Sequence, residues 1–410
     1  MASVASRTGC VELGHGCYAW IADTVGWGMS NAGLITGGGE SLLVDTLYDL
    51  RLTKNMLDAL TPLTATAPIA TVVNTHGNGD HWFGNQLVAH AEIIAARGSV
   101  ADMRQVGPAE MLALTGMDSP AGHFARRIFG RFDYTGIEPA LPNRIFDGET
   151  VLDIGGTEVR LIDVGPAHSA SDTIVHVPQA RTVYTGDIVF AGAAPIVWHG
   201  PFAHWLAACD LLLGLDADTV VPGHGPVTTK QAVREIRDYL EYVHEQATAR
   251  FTAGMPVMDA ACDIRLGRFA DLHESERLAV NVHTVYRELD PSLPPLDGPG
   301  LFGCMAELCP ASDDAPPSAD RRTAPSGAYS SPSPRAIRPA KPCKEETWSP
   351  PPPTTHPPPR RQMPHRPLRH ATPARSSPAV WPSAWPRSDW SCPPRSTASC
   401  SAPSTRPAEN

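Results

Sequence analysis

The run Ile69–Thr75, IATVVNT, is apolar, rich in β-branched residues and short enough to be a buried strand. It delivers His76 at its C-terminal end, and the next five residues, GNGDH, add Asn78, Asp80 and His81 in a glycine-rich turn. Packing gives no reason to place His76, Asp80 and His81 together at the end of a strand. The pattern therefore constrains fold and chemistry at once: a buried sheet that ends in a polar loop, with metal-ligating side chains on the loop.

The same scheme recurs along the chain. CYAWIA, NAGLIT and SLLVDT read as strands, the last ending at Asp45, with a hairpin turn at Gly37–Gly39. A helix is expected from about Leu47 to Leu60, a strand at AEIIAA, and interrupted helix over 98–135. In the second half TVLDIGGTEVRLIDV reads as a hairpin turning at Gly155-Gly156, followed by GPAHSASD with His168 just past the strand end. TIVHVP and RTVYTGDIVF read as strands, the latter carrying Asp187. A helix at about 202–215 precedes the strand DTVVPGHGPV with His224, and helices at about 228–253 and 274–289 follow. Two β-rich halves with helices outside predict a four-layer αββα sandwich of the α/β class.

Composition sets the boundary of this body. Of the 42 prolines, 24 lie after residue 310, in stretches such as SPPPPTTHPPPRR. Residues 311–410 are poor in apolar periodicity and are expected to be a disordered Pro/Ser/Arg-rich tail; translation of GC-rich DNA out of frame also yields such text. The expected catalytic domain is 1–310, with a core over about 15–250 and a helical extension over 250–300. The tail holds 14 basic and 7 acidic side chains, so of 33 and 43 in the chain the first 310 residues keep 19 and 36, a formal net charge of −17. So acidic a body predicts no nucleic-acid partner. Nine irregularly spaced cysteines without a CxxC, an N-terminus without an apolar signal core and the lack of any membrane-length apolar stretch predict a cytoplasmic protein without membrane association.

Four strand-end loops thus present ligands of the kind zinc takes: the 76–81 loop, His168, Asp187 and His224. His90, His176, His199 and His204 read as ordinary surface histidines, with His199 and His204 flanking a pocket rim in WHGPFAH. The ordered set THGNGDH, GPAHSASD, YTGDIVF and VVPGHGPV resembles the metallo-β-lactamase superfamily, whose signature is His-x-His-x-Asp-His followed by His, Asp and His on later loops. The resemblance covers roughly residues 15–250. GWGMSNAGLITGGGESLLVDT and GDHWFGNQLV are similar to a narrower group, the cyclases and thioesterases of this fold in actinomycete aromatic polyketide pathways.

The resemblance implies a first metal site at His76 and His168, a second at Asp80, His81 and His224, and Asp187 shared between them. Where the family has a third first-site histidine this chain has Asn78, a neutral and weaker donor. One tightly bound Zn2+ is expected, with a second weaker, and Fe or Mn remain open. Asn78 is then free to orient substrate, and Asp80 is a candidate proton acceptor, though a poor base when it ligates. The implied reaction is hydrolysis of a thioester, lactone or similar carbonyl, or cyclisation of a polyketide chain, on a small-molecule or carrier-protein-bound acyl substrate. The competing expectation is a metal-free binding protein of the same fold. A true β-lactamase is disfavoured by the missing export signal.

Overall fold

The computed structural model describes residues 8–308; the tail expected from 311 lies outside the described residues. The chain first builds β1 (Gly9–Gly14), β2 (Cys17–Ile21), β3 (Ala32–Gly37), β4 (Glu40–Val44), α1 (Leu50–Thr64), β5 (Ile69–Val73), β6 (Glu92–Ala96), α2 (Arg97–Met103), α3 (Pro108–Gly116), α4 (Pro120–Phe129) and β7 (Arg144–Phe146). All seven strands join one sheet in sequence order, antiparallel from β1 to β4 and parallel from β4 to β7. The second half supplies β8 (Glu149–Ile154), β9 (Thr157–Asp163), β10 (Thr173–Val177), β11 (Thr182–Tyr184), α5 (Phe202–Gly214), β12 (Thr219–Val221), α6 (Lys230–Thr252), α7 (Val257–Asp263), α8 (Leu278–Leu289) and α9 (Gly298–Leu308). Its five strands form a second sheet, antiparallel from β8 to β11, with β12 parallel to β11.

Strand periodicity explains the layers. In β2 every second residue, Cys17, Ala19 and Ile21, is buried and faces the same core as Val159 and Leu161 of β9 and Val175 and Val177 of β10. On the outer face of the first sheet Leu34, Leu43, Val72 and Ile93 meet Met56 and Leu60 of α1. Asp49 starts that helix by accepting from the Leu52 N–H at 2.6 Å. On the outer face of the second sheet Ile174, Val183 and Val220 meet Leu212 of α5 and Val233, Ile236 and Leu240 of α6. The result is the expected αββα order. At the far edge the two hairpin turns touch: a Cβ on Gly38 would lie 2.6 Å from the Gly155 Cα, and both glycines have positive φ.

Several elements differ from the sequence reading. RTVYTGDIVF is a strand only to Tyr184, because Gly186 takes φ 49° and starts a 3-10 turn over 186–188. DTVVPGHGPV is a strand only to Val221, because Pro222 brings no N–H to a ladder. Both early stops put a ligand candidate in a loop rather than on a sheet face. β1, β7, α7 and α9 lack a strong periodic signal and were not legible as elements. His176 is a correction: it sits mid-strand in β10, flanked by β9 and β11, and is buried rather than on the surface. His90 and His204 are exposed.

Candidate metal centre

The parallel pairs β4/β5 and β11/β12 end at the same edge of the sandwich, and the loops that leave them converge. Thr173 N–H donates to the Thr75 carbonyl at 2.7 Å, and Asn31 reaches Gly223 and Gly225 through backbone and side-chain hydrogen bonds, so the two sheets are stitched there. Gly223 is required: a Cβ would lie 1.9 Å from Asp187 Oδ1. All six expected ligands come together and are buried. His76, His168 and Asp187 form one group and Asp80, His81 and His224 another, with the ligand atoms of each group within 4.8 Å of one another.

The histidines are oriented from outside. His168 Nδ1 donates to the Ile196 carbonyl at 2.8 Å and His224 Nδ1 to the Met29 carbonyl at 3.1 Å. A carbonyl only accepts, so each Nδ1 carries the proton and each Nε2 turns a lone pair inward. Asp45 is the hub for the other two. Its carboxylate accepts from His81 Nδ1 at 2.9 Å and from the Thr75 hydroxyl at 2.8 Å, and that hydroxyl lies 2.9 Å from His76 Nδ1. Such carboxylate–histidine pairs fix a ligand's tautomer and raise its basicity. In the sequence Asp45 showed itself only as the polar end of an apolar strand.

The inward atoms meet around two carboxylates. Asp187 Oδ1 lies 3.2 Å from His81 Nε2 and 3.3 Å from His224 Nε2, and Asp187 Oδ2 lies 3.4 Å from His168 Nε2 and 3.7 Å from His76 Nε2. Asp80 Oδ2 lies 3.4 Å from His224 Nε2. These atoms are near in distance yet poorly aimed at one another: His76 Nε2, His81 Nε2 and Asp187 Oδ1 are buried without a hydrogen-bond partner. Orphaned buried nitrogens and a carboxylate oxygen around a common centre are the donor set a divalent ion satisfies, so the residues present fit a metal.

Charge follows the same division. Burial holds His76 well below its usual range, and burial against the pull of Asp187 takes His168 down to about 4. At His224 burial is outweighed by Asp187 and Asp80, which raise it to about 9, and at His81 burial is likewise outweighed by Asp187, Asp80 and Asp45.

Asn78 departs from simple ligand replacement. Its Nδ2 lies 3.0 Å from His168 Nε2. With Nδ1 carrying the proton, Nε2 can only accept, so the amide donates to the nitrogen that would bind the first-site ion. Asn78, Asp80, His168, Asp187 and His224 line the floor of a cleft of about 1140 Å³, a volume that includes its open mouth. His199 lines the same cleft, as do Trp27, from the stretch GWGMSN, and Asp102, Gln105 and Arg277, for which the sequence offered no motif.

Residues 25–224 match the metallo-beta-lactamase superfamily. The chain belongs to that superfamily. Among its relatives, the alpha subunit of 2,4-dinitroanisole O-demethylase from Nocardioides sp. is 28% identical over 193 residues, 46% of this chain and 51% of that protein. An uncharacterized protein of Mycobacterium tuberculosis is 31% identical over 182 residues, 42% of this chain and 76% of that protein. The solved structure of the inverting sec-alkylsulfatase Pisa1 from Pseudomonas sp. shares the fold at a TM-score of 0.53 and 18% identity, covering 70% of this chain and 52% of that one. The chain spans about half the length of the O-demethylase subunit it matches. The superfamily is mostly hydrolases, which supports an enzyme. Among the described residues no helix is long and apolar enough to cross a membrane.

Proposed function

We propose that this metallo-beta-lactamase superfamily member is a metal-dependent hydrolase of a thioester, lactone or similar carbonyl in an acyl substrate, small or carrier-bound. The observation that carries the reading is the pair of buried, unpartnered Nε2 atoms of His76 and His81, set among Asp80, His168, Asp187 and His224 of the cleft floor. It disfavours the metal-free binding protein, for which four buried histidines so oriented have no use. A divalent ion there, zinc by the chemistry of the donor set, supplies a Lewis acid and lowers the pKa of water.

The chain's own residues do the rest. Asp45 and Thr75 hold His81 and His76 with Nε2 toward the centre. Asp80 has the more exposed ligand carboxylate, 11% against 4% for Asp187, and faces the cleft, where it can take a proton. Asn78 N–H lies on the floor beside it, placed to orient a substrate oxygen if it leaves His168. The aromatic walls of the cleft, Trp27, Phe129, Phe190, Trp198 and Phe302, limit water at the reacting carbonyl. Those walls also favour the narrower reading, an aromatic polyketide thioesterase or cyclase, over a sulfate ester of the kind the sec-alkylsulfatase's name implies. In that narrower reading the walls hold a long acyl chain folded on itself.

The test is hydrolysis of aryl thioesters by the protein before and after chelation and after zinc is restored. Activity should vanish and return with the ion. Asp187→Ala should abolish it and His90→Ala leave it within about twofold. Equal turnover by chelated protein sinks the reading.

A further inference from the structure

The cleft above the metal floor has walls of unequal chemistry. Trp27, Trp198 and Phe302 touch one another, with ring centroids 6.4 Å (Trp27–Trp198), 6.1 Å (Trp198–Phe302) and 6.5 Å (Trp27–Phe302) apart. Phe302 comes from α9, well past residue 224 where the family match ends. A contiguous aromatic surface of this kind binds flat, apolar groups by stacking and area.

Away from the metal floor the carboxylates of the lining are Asp102, at the end of α2, and Glu110, in the first turn of α3, with Gln105 between them and Ser169 and His199 also on the wall. Asp102 accepts from the Ala170 N–H at 3.1 Å and Glu110 from the Gly107 N–H at 2.9 Å. Gln105 Oε1 is buried with no partner. Gln105 as a whole is only half-buried, so a turn of its amide brings that unpartnered acceptor to the cleft, where it wants a donor. Among the described lining residues Arg277 is the only lysine or arginine, and its charge is already engaged. The guanidinium pairs with Glu274 at 2.6 Å, donates to the Ala194 carbonyl at 2.7 Å, and lies over the Trp27 and Phe190 rings at 4.1 and 4.9 Å. Its Nε–H is unpartnered, yet the residue is only 2% exposed, so an anionic head group cannot reach it without displacing the wall.

The geometry points to a neutral aromatic substrate bearing hydroxyl groups, its ring against Trp27, Trp198 and Phe302 and one hydroxyl donating to Gln105 Oε1. Asp102 and Glu110 disfavour an anionic analogue in the same seat. This substrate class rests on the hydrolase reading of the same cleft.

Calorimetric titration of the zinc-loaded full chain with three probes that cannot be hydrolysed separates the two readings: 1,3-dihydroxynaphthalene, its dimethyl ether, and 2-naphthalenesulfonate, whose anion is a poor zinc ligand. The diol should bind about tenfold more tightly than either of the others, the worth of one hydrogen bond to a buried acceptor. Gln105→Met should cut the diol-to-ether ratio below about threefold while the ether's own Kd moves little. A ratio that survives in Gln105→Met means that the hydroxyl meets zinc instead, and overturns the assignment, as does a sulfonate that binds as tightly as the diol. Phe302→Leu, which keeps apolar volume and removes the ring, should weaken both diol and ether; unchanged binding overturns the aromatic seat. Thioester turnover without these preferences would leave the hydrolase standing and remove only its substrate class.

Discussion

Asn78 shows how one side chain changes a site without dismantling it. Its amide donates to His168 Nε2, so an ion entering the first group must break that hydrogen bond before gaining the nitrogen. The second group has no such competitor. Protein purified without added metal is expected to hold close to one equivalent of ion. Excess zinc should fill a second, weaker site, and Asn78→His should tighten that step by about tenfold or more, read by elemental analysis and calorimetric titration. Two ions held tightly by the unmodified protein would contradict this. Asp172 makes a separate prediction. Burial, opposed by hydrogen bonds from the Ser169 N–H and hydroxyl, raises its carboxyl to about 7. In the unfolded chain it ionises near 4. Between those values the unfolded state loses the proton and the folded state keeps it, so this group makes stability fall as pH rises from about 4 to 7, with no further loss above. Asp172→Asn should remove that part of the slope, measured by urea unfolding at pH 4.5, 5.5, 6.5 and 7.5; an unchanged slope excludes it. The six ligands were legible because each ends or follows a strand beside glycine. Asp45, Gln105 and Arg277 were not, since their roles depend on partners distant in sequence, such as Thr75 for Asp45 and Trp27 for Arg277.

Elements were legible where periodicity was strong. α1 and α6 run close to their expected spans, as do the buried strands β5 and β10. β7 is three residues long, and α9, GPGLFGCMAEL, opens on two glycines and a proline, with Asp297 before it accepting from the Gly300 N–H at 2.8 Å as its one start signal. Such pieces exist because tertiary contacts hold them. For α9 the contacts are aromatic: Phe302 meets Trp27, Phe124, Phe129 and Trp198. Phe302→Ala should therefore destabilise the protein by roughly 3 kcal/mol, the low end of the range for a buried phenylalanine, because the space left opens into the cleft. Zinc content should stay unchanged, as the ligands all precede residue 225. Urea unfolding together with metal analysis checks both halves of this expectation, and loss of zinc would show that α9 supports the centre rather than the cleft alone.

At the scale of the molecule the two sheets are each continuous in sequence, strands over 9–146 in one and 149–221 in the other. Each ligand group draws from both: His76 with His168 and Asp187, and Asp80 and His81 with His224. An ion bound to the folded state alone thus ties one sheet to the other. Chelation should lower the melting temperature by several degrees, on the order of 5–10 °C, and added zinc should restore it in a concentration-dependent way. A melting temperature indifferent to an ion that has demonstrably left would show that the ion does not join the sheets. The arrangement of the glycine turn after β7 carries one more consequence. A break in the backbone at Asp147-Gly148 would leave two polypeptides, each owning a complete sheet and neither owning a complete centre. Reassociation of such fragments would be gated by zinc, so that the catalytic ion would double as the dimerisation signal of a split enzyme.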